Sequence, residues 1–196
     1  MIFYGRPGLG KTSAAQIMIR NLGAFACRIN GSLRTGIDVV RELEQFCRYP
    51  SIDGDMKVCF IDECEFLSPN AQAGLRGLIE QSHGVPFIMT ANDISKLHPA
   101  LKSRCWPISF DINSLKSQAT IERLLPQYAD KLKRLGYDKI ETEWLSKEMG
   151  MVFPDLRKLA GAIEFKHGPP DEEKAKLFQM EQNREVEKSG NGHKAA

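Results

Sequence analysis

No stretch of the 196-residue chain approaches the ~20 consecutive apolar residues that a membrane helix needs. Charge of one sign is not in excess either. Lys+Arg number 27 against 25 Asp+Glu, a net +2, so nothing demands a nucleic-acid partner, although a local basic strip can hide in a neutral total. The five cysteines, Cys27, Cys47, Cys59, Cys64 and Cys105, are odd in number and form no CxxC pair. A disulfide framework and a zinc site are therefore not expected, and free thiols suit a reducing cytosol. The opening MIFYGRPG has neither the charged n-region nor the apolar core of a secretory signal. Without such a signal the acceptor pattern Asn30-Gly31-Ser32 carries no weight. No internal repeat is visible. What is present is 42% hydrophobic and 27% charged residues, enough apolar matter for the core of one domain, or one domain plus a small appendage.

Periodicity divides the chain in two. Met1 to Tyr4 reads as a strand, Lys11 to Leu22 as a helix closed by Gly23, and Phe25 to Ile29 as a second strand. Ile37 to Cys47 is a helix with Val40, Leu43 and Phe46 on one face, and Pro50 to Asp55 a polar turn. Then come a strand over Lys57 to Asp62, a helix from Pro69 to about Gln81, and a strand over Val85 to Thr90. A short turn or helix at Pro99 to Ser103 leads to a last strand, Trp106 to Phe110. Such alternation predicts a three-layer α/β fold with a mainly parallel sheet over 1–110. After Asp111 the pattern is helical only: Ser114 to Leu135, Glu141 to Met149 and Asp155 to Phe165. A small helical domain is expected over 111–167. Gly168-Pro169-Pro170 should break the last helix, and the charged 168–196 segment is expected to be a disordered tail.

Three segments carry chemistry by themselves. Gly5 to Thr12 reads GRPGLGKT, a complete G-x-x-x-x-G-K-T, between a predicted strand and a predicted helix. There glycines let backbone N–H groups within the segment Gly5, Arg6, Pro7, Gly8, Leu9, Gly10, Lys11, Thr12 and Ser13 turn inward around phosphates, with the positive end of the helix behind them. Lys11 would reach the β- and γ-phosphates, and Thr12 would hold Mg²⁺. Val58 to Glu65, VCFIDECE, places Asp62 and Glu63 at the C-terminal end of a strand, where open α/β sheets bind ligands. Asp62 would complete the Mg²⁺ shell and Glu63 would polarise a water. Cys64 and Glu65 read as structural. In VPFIMTAN, Asn92 ends a neighbouring strand and can orient water without competing for Mg²⁺. Ser103-Arg104-Cys105 offers one arginine that spacing alone makes a solvated surface charge. Arg157 in FPDLRK begins a helix with Asp155 as its cap.

Taken in order, GRPGLGKT, IDECE, TAN, SRC and FPDLRK resemble the AAA+ ATPases, and within them the clamp loaders of DNA replication. INGS followed by IDVVR, the helix NAQAGLRGLIE, LKSRCWPISF and FPDLRKLAGAI resemble most closely the ATPase subunit of phage-type sliding-clamp loaders. The resemblance covers about Met1 to Phe165. It implies a P-loop NTPase with a RecA-like core and a helical lid, using ATP and Mg²⁺. It also implies Glu63 as catalytic base, Asn92 as first sensor, Arg104 as an arginine finger acting on a neighbouring subunit's ATP, and Arg157 as second sensor. Arg34 and Arg41 become candidate contacts to DNA phosphates, with a solvated face as the equal alternative. Gln72 and Arg76 lie on a helix that the family uses as a relay, with plain packing equally open. Implied partners are other loader subunits in a ring, the sliding clamp and primer-template DNA. A cytoplasmic setting follows, the bacterial host's cytosol if the gene is a phage's. Family members carry a segment before the P-loop that packs on the adenine, and a helical collar after the lid. By that comparison a shortened loader ATPase is expected.

Overall fold

A computed structural model of the chain describes residues 1–50, 56–111 and 118–191, with side chains through residue 181. The polar turn expected at 51–55 and the start of a helix at 114–117 lie outside these residues. The chain divides into two compact units, Met1–Asp111 and Ile112–Ala196.

In the first unit, β1 (Ile2–Tyr4), β2 (Phe25–Asn30), β3 (Lys57–Asp62), β4 (Phe87–Ala91) and β5 (Pro107–Ser109) form one sheet in the order β2-β3-β4-β1-β5. All four pairings are parallel. The helices are α1 (Lys11–Asn21), α2 (Asp38–Arg48), α3 (Pro69–Gln81) and the single turn α4 (Pro99–Lys102). The period-2 alternation of the central strands sorts their side chains onto two faces. Val58, Phe60, Phe3 and Ile88 pack with Ala15 and Ile19 of α1. Cys59, Ile61, Ile2 and Met89 pack with Val39 and Leu43 of α2 and Leu75 of α3. Both faces of the sheet are thus covered, which is why these strands read as unbroken apolar runs rather than alternating ones. The expected three-layer α/β sandwich is what forms. Its fourth strand begins at Phe87 rather than Val85, because Pro86 has no N–H to give the ladder; the Pro86 carbonyl accepts from the Cys59 N–H at 2.9 Å instead.

The second unit contains α5 (Gln118–Arg134), α6 (Thr142–Val152), α7 (Leu156–His167) and α8 (Glu172–Asn191). Its core is Ile121, Leu132, Tyr137, Leu145, Met149, Phe153, Leu159 and Ile163. Gly168, in the left-handed region at φ 81°, ends α7 where the glycine-proline break was expected. The expectation of a disordered tail from 168 is corrected over Glu172–Asn191, which is helical. Local chemistry accounts for it. The Asp171 carboxylate accepts from the Lys174 N–H at 3.0 Å, Glu172 and Glu173 sit on the positive end of the helix, and Lys174 pairs with Asp138 at 2.8 Å. No described helix is long and apolar enough to cross a membrane.

Candidate functional site

β1 delivers the chain at Tyr4 into the turn Gly5–Gly10, and α1 starts at Lys11. Gly10 precedes the helix at φ 82°, a conformation costly for any residue with a Cβ. It provides no side-chain cap, and the first turn of α1 holds no acid. The leading N–H groups of α1 and the positive end of its dipole are therefore uncompensated by side chains, the arrangement that binds a phosphate.

Lys11 is only 7% exposed. Its ammonium donates to the Gly5 carbonyl at 2.7 Å, the Arg6 carbonyl at 2.9 Å and Asn92 Oδ1 at 2.9 Å. Lys11 and Asn92 are far apart in sequence, and they meet because β1 and β4 are neighbours, with Tyr4 opposite Ala91. The next residue, Thr12, donates its hydroxyl to Asp62 Oδ1 at 2.9 Å. The lysine, threonine, aspartate and asparagine of three separate motifs thus share one cluster at the C-terminal ends of β1, β3 and β4.

Three residues that sequence reasoning missed or undervalued hold this cluster together. Thr90, 1% exposed, donates to Asp62 Oδ1 and accepts the Glu63 N–H at 2.9 Å. Its only sequence signal is a hydroxyl inside an apolar strand. Glu65 is 7% exposed; its Oε1 accepts the Asn92 N–H at 2.8 Å, while its buried Oε2 has no partner among the described residues. Asn92 is therefore gripped from two sides, by Glu65 at its backbone and by Lys11 at its amide. Gly31, at the end of β2, donates to the Asp62 carbonyl at 2.8 Å, and a Cβ there would stand 2.5 Å from the Glu63 carbonyl oxygen. Glu63 itself sits at φ 54°, alone among described non-glycine residues in the left-handed region. That conformation costs about 1 kcal/mol, offset here by the bond to Thr90 and by its carbonyl accepting from Phe66.

Asp111 clasps the turn from the far end of the unit. Its carboxylate accepts from the Arg6 N–H at 3.1 Å and from Arg6 Nε at 3.0 Å, and these bonds hold it below the usual carboxylate range. Burial pushes the Cys59 and Cys64 thiols far up, so neither supplies a thiolate. No cluster of three His, Cys, Asp or Glu able to hold a metal occurs among the described residues. Thr12 and Asp62 nonetheless offer two oxygens at one point, a donor set that suits Mg²⁺ shared with phosphates and water.

The remaining expected residues lie elsewhere. Arg104, on the turn after α4, donates from Nε to Glu80 Oε1 at 2.7 Å, and Arg76 donates to the same oxygen at 3.2 Å. Arg34 pairs with Glu42 at 2.7 Å and Asp38 at 3.4 Å. Arg41 is exposed on α2 and forms no ion pair with a described residue. Gln72 is buried at 4% exposure, donating to the Leu67 carbonyl at 3.0 Å and accepting the His98 N–H at 2.7 Å. Arg157, exposed, is the second residue of α7 in the other unit, where the Asp155 carboxylate accepts the Lys158 N–H at 3.1 Å.

Residues 1–110 match the family described as the ATPase family associated with various cellular activities, AAA. The chain is 36% identical over 132 residues to a replication factor C small subunit of Methanococcus maripaludis, covering 63% of this chain and 41% of that protein. It is 30% identical over 172 residues to replication factor C small subunit 2 of Pyrobaculum islandicum, covering 84% and 52%. Replication factor C subunit 4 of Caenorhabditis elegans is 35% identical over 138 residues, covering 63% and 41%. The chain thus spans about half the length of these relatives. Among solved structures it is similar to a variant of Thermotoga maritima RuvB, with a TM-score of 0.56 at 18% identity over 84% of this chain and 60% of that one. That likeness is of fold. With more than half of the chain matching this family, and with Lys11, Thr12, Asp62 and Asn92 brought together as described, the chain belongs to the AAA family of ATPases.

Proposed function

We propose that the chain is an ATP-hydrolysing subunit of a sliding-clamp loader, coupling ATP binding and hydrolysis to opening a clamp and placing it on primer-template DNA. The observation that carries the hydrolytic part is the junction of Lys11 with Asn92 and of Thr12 with Asp62. The loader part rests on the likeness to replication factor C subunits. The finer placement among phage-type loaders rests on the wording of INGS, LKSRCWPISF and FPDLRKLAGAI.

In this reading the turn Gly5–Gly10 and the start of α1 cradle the phosphates, and the Lys11 ammonium meets the γ-phosphate beside Asn92. Thr12 and Asp62 would hold a Mg²⁺ that neutralises phosphate charge. The Asn92 amide orients a water. Glu63 takes that water's proton as its oxygen bonds to the γ-phosphorus and the bond to the ADP oxygen breaks. Arg104 reaches the ATP of a neighbouring subunit, and Arg157 acts as second sensor on the subunit's own ATP. ATPase turnover measured with and without primed DNA tests the hydrolytic reading: an inactive chain that still binds ATP would make it an assembly subunit. Pull-down of a sliding clamp tests the loader reading against another replication role, such as helicase loading.

Gly31→Ala should lower turnover about 10-fold or more while ATP affinity changes little. The added Cβ must push the Glu63 carbonyl away and with it the catalytic carboxylate, since the atoms nearest to it belong to Glu63 and Asp62 rather than to the phosphate-binding turn. Stopped turnover with wild-type binding is the expected result; an unchanged rate would mean that Glu63 tolerates displacement.

DNA binding should be sequence-independent and fall steeply with salt, since phosphate contacts release counterions. Arg34 divides its charge between Glu42 and Asp38, so Arg41 carries more of the contact. Arg41→Ala is expected to flatten the slope of log affinity against log salt by about 1, Arg34→Ala by less. Fluorescence anisotropy with a primed duplex at several salt concentrations measures both.

A further inference from the structure

We propose that Glu80 is a positioning residue that aims the Arg104 guanidinium outward for use by the neighbouring subunit. The proposal rests on the reading of Arg104 as a finger and adds to it a residue that motif analysis does not single out. Glu80 lies in the last turn of α3, four residues after Arg76. One oxygen, Oε1, accepts from Arg104 Nε at 2.7 Å and from Arg76 Nε at 3.2 Å. The two arginines hold the carboxyl below its usual range, Arg104 having the larger effect.

Which nitrogen makes the bond decides what the bond does. A carboxylate that sequestered the finger would take its terminal Nη groups in a fork-to-fork pair. Glu80 takes Nε, the inner donor, and the two terminal NH₂ groups lie beyond it at the tip. The tip keeps its four N–H donors for a phosphate, while the swing of a long, rotamer-rich side chain is curtailed. Arg76, bound to the same oxygen, offsets part of the Glu80 charge that would otherwise repel that phosphate.

The backbone on either side is fixed as well. The Arg104 N–H donates to the carbonyl of buried Leu101 at 3.1 Å. The segment leading to it is tied to α3 at a second point, where Gln72 accepts the His98 N–H at 2.7 Å. One helix thus grips the finger segment at both ends, through Gln72 near its start and Glu80 near its finish. The first turn of α3 follows closely on the acidic motif, and Gln72 also holds the Leu67 carbonyl next to it. The aim of the finger is therefore set by the same helix that abuts the chain's own ATP site.

The test compares Glu80→Ala, Glu80→Asp and Arg104→Ala in two full-length copies joined by a flexible linker, so that an interface exists. Glu80→Ala is expected to lower kcat about 10-fold or more, with the affinity for a fluorescent ATP analogue unchanged, and Glu80→Asp to restore part of the loss. Placed only on the copy that supplies the finger, Glu80→Ala should be as harmful as on both. Restricted to the copy that receives it, the change should do nothing. The ¹⁵Nε resonance of Arg104 gives a readout independent of turnover: shifted and protected from exchange in the parent chain, free-arginine-like in Glu80→Ala. A rate that rises in Glu80→Ala would mean that Glu80 restrains the finger. Normal turnover in Glu80→Ala where Arg104→Ala is inactive, or an Arg104 ¹⁵Nε signal like that of free arginine in the parent chain, would equally overturn the proposal. An Arg104→Ala pair that turns over normally would instead remove the finger reading beneath it.

Discussion

Lys11→Ala should abolish ATP binding, and Glu63→Gln should preserve binding while stopping turnover. The split follows from where each group sits. Lys11 brings a buried, hydrogen-bonded cation to the point where phosphate charge must be met. Charge-assisted hydrogen bonds contribute about 1.5–3 kcal/mol each, and two of them to phosphate oxygens make the loss ~10²–10⁴-fold in affinity. The substitution also strips a donor from the Gly5 carbonyl and from Asn92 Oδ1, so the folded chain should lose a few degrees in Tm even without nucleotide. Glu63 stands at the end of a different strand from the Lys11 turn, and its backbone N–H is held by Thr90 whatever its side chain carries. An amide at 63 keeps that backbone but cannot take up a proton, which removes about 10²–10⁴-fold in kcat. Isothermal titration with ATP and a phosphate-release assay measure the two quantities. Equal loss of binding in both variants would refute the division of roles, and a Lys11→Ala chain with unchanged Tm would show that the three lysine contacts contribute little to the fold.

What could be read in the sequence was local. The P-loop announces itself because glycines, lysine and threonine stand at fixed offsets between a strand and a helix, and the central strands β3 and β4 show as apolar runs. The parts that were not legible depend on which strand lies beside which. Thr90 is one hydroxyl in an apolar strand until β4 is placed against β3, when it becomes the link between Asp62 and Glu63. The bond of Glu65 to Asn92 was not legible because Asn92 follows a different strand, and the closeness of Gly31 to the Glu63 carbonyl was not legible because β2 and β3 are separated in sequence. Sequence likewise gave no reason to prefer Arg41 over Arg34, a preference that arises from the ion pairs of Arg34 with Asp38 and Glu42. The helix at Glu172–Asn191 was missed for a different reason. Its composition is mostly polar and charged, and the cap at Asp171 and the Lys174–Asp138 pair that favour it are small local effects rather than a periodic apolar stripe.

Arg104→Ala is the substitution on which the surface-charge and finger readings differ most. Arg104 is half exposed, and its bond to Glu80 is a solvated ion pair. Judged as such, its removal costs the fold less than about 1 kcal/mol, and Tm should barely move. As a finger it would stabilise charge on the transferring phosphoryl group across a subunit interface, a role worth ~10³-fold or more in rate. The expected result is therefore a stable protein with normal ATP affinity and almost no DNA-stimulated turnover. The trans geometry predicts a second result. Arg104→Ala and Glu63→Gln chains, each inactive alone, should recover part of the activity when mixed in an assembled complex or joined in tandem. A site with an intact Glu63 on the Arg104→Ala chain then meets a finger supplied by the Glu63→Gln chain. Two inactive chains cannot complement in this way if Arg104 serves its own ATP, because each site would still lack one of the two groups. Full activity of Arg104→Ala in such an assembly would leave Ser103-Arg104-Cys105 as no more than the turn that joins α4 to β5.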